Sequence, residues 1–295
     1  MNLRAYASSF TSFIIYTLTT GLGLLSLFYP FFYLPVTQPV SGSQPRLGEM
    51  PLMLSLVLGL CLLVLIYEVQ GQATNAKLIA LLGILVAINS ILRFAEVAFP
   101  GPGGFTPIFF LITLTGYVFG GRFGFLMGAM TLFVSALITG GIGPWLPSQM
   151  FTAGWVGMSA MFLRPLMQPL MAKYQLQKGT GINPEIIMLA IFGLAWGFLY
   201  GSIMNLWQWP FIAGPQVQSW VAGSGFMVTL QHYLAFYLVT SLVWDAIAAI
   251  GNFLLILAFG AATLRALRRF QQRFVFIYVP DKQNVSGQNY KEMTG

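Results

Sequence analysis

"GGIGPWLPSQMFTAGWVG" (residues 140–157) stands where an apolar helix should begin, yet it holds five glycines, two prolines, two tryptophans and a glutamine. Glycine and proline interrupt helices, and a glutamine amide is costly to bury without partners. At membrane depth such a segment is tolerated only where protein encloses it or where it lines a cavity. Its meaning therefore depends on what surrounds it.

The surroundings are strongly apolar. The 295-residue chain is 57% hydrophobic and only 7% charged, with a mean hydropathy of +0.77. A soluble protein carries about a quarter charged residues, and seven acids cannot cover a water-facing surface of this size. The chain is therefore a multi-span membrane protein. A formal charge of +7 would suggest nucleic acid in a soluble chain; here it reflects basic residues held on the cytoplasmic side, and no nucleic-acid partner is expected. The single Cys61 excludes an intrachain disulfide and a cysteine-rich metal site.

Apolar stretches at 10–34, 50–67, 77–99, 105–120, 123–139, 146–170, 184–210 and 231–262 predict an all-α integral membrane protein of about eight spans. Residues 10–34 exceed a signal-peptide core and no small-x-small cleavage site follows, so they read as a retained helix. The spans at 105–120 and 123–139 are short and joined by Gly120, Gly121 and Arg122, which predicts a tight hairpin. With both termini cytoplasmic, twelve of the fourteen Lys and Arg fall inside or at inner helix ends; Arg46 lies outside and Arg93 within a span. The basic stub "RALRRFQQRF" (265–274) anchors at the inner headgroups. The outer loops, "PGPGG" (100–104), "GGIGPW" (140–145) and "PFIAGPQVQSWVAGSG" (210–225), are uncharged and rich in Gly, Pro and aromatics. Loops of this composition suit folding onto a cavity.

Ionisable residues within spans are functional candidates because each costs at least ~2.5 kcal/mol to insert. Asn89, Arg93 and Glu96 are spaced to share one face. Two readings stay open: a cargo contact, or an Arg93–Glu96 pair snorkelling to the outer headgroups. In the last span Ser241, Trp244, Asp245, Ala248 and Asn252 form a stripe predicted to face the bundle. Similar depth along their helices makes Arg164 and Asp245 the expected structural ion pair near the inner side. His232, the only histidine, has no ligating neighbours in sequence and reads as an interfacial residue; no metal site is expected. Trp145, Trp207, Trp209 and Trp220 map near the outer boundary, as an aromatic belt or as stacking surfaces. Ala76, Ala80, Gly83 and Ala87 make a small-residue stripe that admits a second helix closely. There is no Walker A, DxxxD or H-E-x-x-H, and no two acids cluster in one span, so no cofactor and no enzyme chemistry are indicated.

From about Lys77 to Arg273 the chain resembles the substrate-binding S component of energy-coupling factor (ECF) vitamin transporters. The resemblance rests on six spans, the Ala76-x-x-x-Ala80 stripe, the hairpin "GYVFGGRFGFLMGA" (116–129) and the opening block. "MNLWQWPF" (204–211) and "AFYLVTSLVWDAIAAIGN" (235–252) complete it. The GPW-x-P-x-Q-M block, with MNLW and the WD helix, is similar to a subgroup associated with corrinoid (cobalamin) uptake. The resemblance implies a six-helix core at 71–275, preceded by two additional transmembrane helices at 1–70 and followed by a polar cytoplasmic tail at 276–295. It implies a vitamin bound at the outer side by the outer loops and later helices. It also implies partners, a transmembrane coupling subunit and two cytoplasmic ATPases, with the small stripe as the docking face, all in a prokaryotic plasma membrane. The expected substrate contacts are Asn89, Arg93, Glu96, Phe105, Trp145, Gln149, Asn205, Trp207, Trp209, His232 and Tyr233. The competing reading, a self-sufficient secondary transporter or channel, would call for a coupling-ion site or an inverted repeat, and neither is visible.

Overall fold

A computed structural model describes residues 17, 20–28, 31, 76–99, 106–176, 183–212 and 214–274, and these are helical or lie in turns between helices. From Ala76 onward the helices are α1 (Ala76–Ala98), α2 (Ile108–Phe119), α3 (Gly121–Thr139), α4 (Leu146–Ser159), α5 (Leu163–Leu176), α6 (Pro184–Gln208), α7 (Phe226–Thr240) and α8 (Leu242–Phe274). Among the described residues four stretches are long and apolar enough to cross a membrane: Lys77–Ala98, Gly121–Thr139, Pro184–Phe211 and Leu242–Gln272. The expected span at 50–67, Cys61, Phe105 and the tail from 276 lie outside the described residues.

α2 is the axis of the bundle. Its 12 residues are too short to span hydrocarbon, about 18 Å at 1.5 Å per residue. It is nevertheless apolar throughout, and Ile108 through Val118 are all buried, because neighbouring helices rather than lipid enclose it. The hairpin into α3 turns on Gly120, whose φ of 101° is open to glycine and strained for other residues. The Gly120 N–H closes α2 on the Gly116 carbonyl at 3.0 Å.

Glycines set the spacing of two seams. Gly116, Gly124 and Gly157 meet where α2, α3 and α4 cross, and a β carbon on any of the three would fall inside the backbone of a neighbouring helix. Gly128 lies in the same way against the Ala153 carbonyl. With no side chain between them the backbones approach closely, and dispersion contacts replace the hydrophobic drive that lipid cannot supply. Along α6, Gly193, Gly197 and Gly201 recur every four residues and receive Ile256, Ala249 and Asp245 of α8.

Two expected spans are not single helices. The stretch 146–170 is α4, a 3-10 turn at Ala160–Phe162, and α5, in which Pro169 has no N–H for the ladder. The stretch expected at 231–262 starts earlier, at Phe226, breaks at Ser241 (φ −133°, ψ −26°) and runs on to Phe274. At the break, hydroxyls compete with the helix ladder: Thr240 Oγ1 donates to the Phe236 carbonyl at 2.7 Å, and Ser241 Oγ to Asn205 Oδ1 at 2.6 Å. The stripe expected along this helix is also divided. Asn252 is fully buried, whereas Trp244 points outward at 57% exposure.

The expected Arg164–Asp245 pair does not form. Arg164 Nε donates to the Tyr117 carbonyl, and its charged neighbour is Arg268. Asp245 lies against Gly201, with Tyr237 beside it. The cation that meets an acid at the Arg164 end is Arg268, paired with Glu185 Oε1, which also accepts the Tyr117 hydroxyl at 2.6 Å. Gln271 Nε2 reaches the Val118 carbonyl at 2.7 Å, so α2, α5, α6 and α8 are tied together at one end of the bundle.

Part of the N-terminal segment packs on this core. Residues 20–28 are helical, and a β carbon on Gly23 would come within 2.7 Å of the Trp155 ring and 2.9 Å of Phe151, both on α4. Phe31 then meets Trp209 and Trp220 edge-on, with ring centroids 6.4 and 5.7 Å apart.

Candidate functional site

The quoted segment forms a loop that ends one helix and starts the next. α3 closes at Gly140 in the left-handed conformation (φ 68°), and the Gly141 N–H returns to the Ala136 carbonyl at 2.9 Å, satisfying an end carbonyl. The Leu146 N–H then bonds the Gly143 carbonyl at 2.9 Å, and Pro147 sits in the first turn of α4, where its missing N–H costs nothing. The Trp145 indole folds back over Gly143, at the place a β carbon would need. The ring is thus seated on its own loop, and it remains 42% exposed.

Beneath this loop lies a cavity of about 230 Å³, lined by Arg93 and Val97 of α1, Leu132, Ala136 and Thr139 of α3, Gly141 and Trp145 of the loop, and Gln149 of α4. Three of the expected contacts, Arg93, Trp145 and Gln149, are therefore brought together from three elements. Gln149 spends its backbone N–H on the Trp145 carbonyl at 3.0 Å, which fixes the first turn of α4 under the ring. The walls supply one guanidinium, one amide with both donor and acceptor, a threonine hydroxyl and an indole face. This set can hold a small flat molecule by an anionic or carbonyl group.

Glu96 and Tyr200 lie near Arg93. Glu96 has Arg93 and Thr106 as its electrostatic neighbours, and both Arg93 and Glu96 act on Tyr200 of α6. Tyr200 packs on Phe109 with centroids 4.6 Å apart, which ties this corner to α2. Asn89 lies deeper and is fully buried; its Nδ2 donates to the Ile108 carbonyl and to Thr131 Oγ1, both at 3.2 Å. It joins α1, α2 and α3 and does not line the cavity.

The remaining expected contacts form a separate knot at the end of α6 and the start of α7. Trp209 is 1% exposed and donates its indole N–H to the Gln218 carbonyl at 2.7 Å. His232 Nδ1 lies 2.9 Å from the Ser219 carbonyl, which can only accept, so Nδ1 carries the proton. Tyr233 donates to the Ser202 carbonyl at 2.5 Å and stands edge-on to Trp209, 5.4 Å between centroids. Asn205 holds Gly201 and Ser241, and Trp207 packs on Phe211 at 5.2 Å. Bonds within the chain engage the polar atoms of Trp209, His232, Tyr233 and Asn205, and two of these bonds pin the loop after α6.

The small-residue stripe lies on the far side of α1. Leu81, Leu82, Leu85 and Val86 are buried in the core, whereas Ala80, Gly83 and Ala87 are exposed, flanked by Ile84 at 60% and Ile88 at 46%. A β carbon on Gly83 would meet nothing within 4 Å.

Sequence reasoning missed two features: the α6–α8 glycine seam and the Tyr117–Glu185–Arg268 cluster. The seam was readable as Gly193, Gly197 and Gly201 at four-residue spacing. The cluster joins residues 68 and 83 positions apart and has no local signal.

Comparison with known proteins returned one family. Residues 77–259 match the ECF transporter, substrate-specific component family, while no curated protein and no solved structure matches the chain. The match takes in α1 through most of α8, and with them the cavity, the loop and the exposed stripe. A family of this kind provides substrate-binding subunits of transporters, not enzymes, and its members associate with a membrane coupling subunit and ATPases. The chain belongs to the family of ECF transporter substrate-specific components.

Proposed function

We propose that the chain captures a small vitamin or vitamin precursor at the outer face of a prokaryotic plasma membrane. It then passes its cargo on by docking to a transmembrane coupling subunit that two cytoplasmic ATPases drive. The observation that carries this reading is the cavity that gathers Arg93, Trp145 and Gln149 under a glycine-hinged loop. Arg93 supplies a planar donor fork for a carboxylate, phosphate or carbonyl oxygen, Gln149 a paired donor and acceptor, and Trp145 a face to cover the cargo. Glu96 lies near Arg93 as its counter-charge, and Asn89 fixes α1 against α2 and α3 below it. Trp209 and His232 steady the loop after α6, while Asn205, Trp207 and Tyr233 pack the α6–α7 knot behind them.

At about 230 Å³ the cavity falls below the ~300–1,000 Å³ typical of ligand pockets. Its size favours a compact, flat cargo; a corrinoid would require the 140–145 loop to swing well clear of this conformation. We assign residues 71–275 to the transport core and 1–70 to additional helices, the first of which braces α4 through Gly23 and reaches Trp209 and Trp220 through Phe31.

Equilibrium binding of labelled water-soluble vitamins to the purified chain tests the reading. One of them should bind, and Gln149→Ala should raise its Kd about tenfold, the worth of a buried polar contact. Trp145→Ala should act mainly on release, because removing a cover leaves the deeper contacts intact. In the same titration Arg93→Ala should cost more than ~1.5 kcal/mol, as expected for a charged hydrogen bond. Unchanged affinity and rates in folded samples of all three variants would exclude this cavity as the cargo site.

A further inference from the structure

Another cavity lies at the opposite end of the bundle from the one under the 140–145 loop. Its volume is about 380 Å³, and its polar walls come from Tyr117, Arg164, Gln168, Glu185, Arg268 and Gln271. Two guanidiniums face one carboxylate here. Arg268 pairs with Glu185 Oε1, while Arg164 gives its Nε to the Tyr117 carbonyl, a neutral acceptor, and feels Arg268 as a like charge. The cavity therefore holds one positive charge in excess. Glu185 adds an independent sign of a missing ligand: the residue is 2% exposed, and its Oε2 has no hydrogen-bond partner among the described residues. A buried carboxylate oxygen is normally satisfied, so a donor belongs beside it.

We propose that this cavity binds the headgroup of a membrane phospholipid, with the phosphate between Arg164 and Arg268 and a headgroup N–H or O–H donated to Glu185 Oε2. Both demands must be met together. An anion without a proton to donate would answer the excess charge and leave Oε2 unpaired. A glycerol hydroxyl two carbons beyond the phosphate answers both, and an ethanolamine ammonium at the same distance satisfies Oε2 while its phosphate lies between the arginines. The location fits a lipid. The cavity opens at the end where Arg265, Arg268 and Arg269 gather, the headgroup level of the inner leaflet on the orientation read from charge. Leu166 and Leu170 on the adjoining α5 are 59% and 48% exposed, and offer apolar surface for acyl chains. A lipid held here would clamp α2, α5, α6 and α8 at the end where the Tyr117–Glu185–Arg268 cluster joins them.

Native mass spectrometry of the full chain, mixed with equal amounts of phosphatidylglycerol, phosphatidylethanolamine and phosphatidylcholine of identical acyl chains, tests this. Phosphatidylcholine carries the same phosphate but no headgroup donor, so the other two should be retained about fivefold better, the worth of one hydrogen bond. Gln168→Glu is the informative variant: Gln168 is exposed, takes part in none of the bonds that tie this end together, and would place a negative charge before the arginines. It should reduce retention of all three lipids without lowering the unfolding temperature of the delipidated protein, and Gln168→Met, which adds no charge, should not produce that loss. A parallel arm adds glycerol phosphate or inorganic phosphate in lipid-free detergent. Stabilisation there, without discrimination among lipids, would keep the phosphate site but assign its ligand to the soluble pool. Equal retention of the three lipids with no response to phosphate overturns the proposal, as does undiminished retention by Gln168→Glu.

Discussion

Replacing Ala80 with leucine is expected to abolish uptake by whole cells while leaving cargo affinity of the purified subunit unchanged. The position is exposed on the face of α1 turned away from the core, so a larger side chain disturbs neither the fold nor the cavity. Gly83, one turn further along, has open space where a β carbon would stand. A stripe of this kind lets a partner helix approach backbone to backbone, and a leucine would hold the two helices apart. Gly83→Leu should therefore act in the same way. Uptake of labelled cargo by cells, set beside equilibrium binding by the same purified variants, separates docking from capture. Normal uptake by both variants would remove this face from the account.

The opposite outcome is expected at Gly157. Its Cα faces the Gly124 backbone, and any β carbon would overlap the Gly124 carbonyl group, which cannot rotate away as a side chain could. Gly157→Leu should cost more than ~3 kcal/mol by forcing α3 and α4 apart, enough to remove most folded protein. The measurement is the monodisperse fraction on size exclusion together with the thermal unfolding midpoint. Gly83→Ala provides the control: the same chemical step into open space should leave both readings unchanged or slightly raised, because alanine favours helix by about 1 kcal/mol over glycine. A folded Gly157→Leu protein with an unchanged midpoint would show that the three-helix crossing is looser than described.

These contrasts mark what the sequence could and could not reveal. The hairpin at Gly120 and the loop at 140–145 were legible because glycine and proline act locally: a positive φ or a missing N–H constrains the chain wherever it occurs. The grouping of Arg93, Trp145 and Gln149 was legible in part, because short connections place the end of α1, the end of α3 and the start of α4 at one level of the membrane. The break at Ser241 was not, since hydropathy runs unbroken through "YLVTSLVWD" and the Ser241–Asn205 bond depends on a residue 36 positions away. That break also undid the Arg164–Asp245 pairing. Depth counted along an assumed straight helix gives a height but not an azimuth, and Asp245 turns toward Gly201 of α6 while Arg164 turns toward Tyr117 of α2. Glu185 was passed over because it begins a helix instead of interrupting a span. Its significance comes from the Tyr117 hydroxyl and the Arg268 guanidinium, which only the folded bundle brings to it.

On the function proposed above, the cavity under the 140–145 loop holds the cargo. The most direct test is to purify the chain from cells grown with a candidate vitamin, extract the bound small molecule, and quantify it per protein by mass spectrometry. The parent and Ala80→Leu should carry near-equal occupancy of one compact compound bearing an anionic or carbonyl group. A folded Arg93→Ala, Gln149→Ala double variant should carry little or none. Equal occupancy in the double variant would place the cargo elsewhere in the bundle and contradict the account.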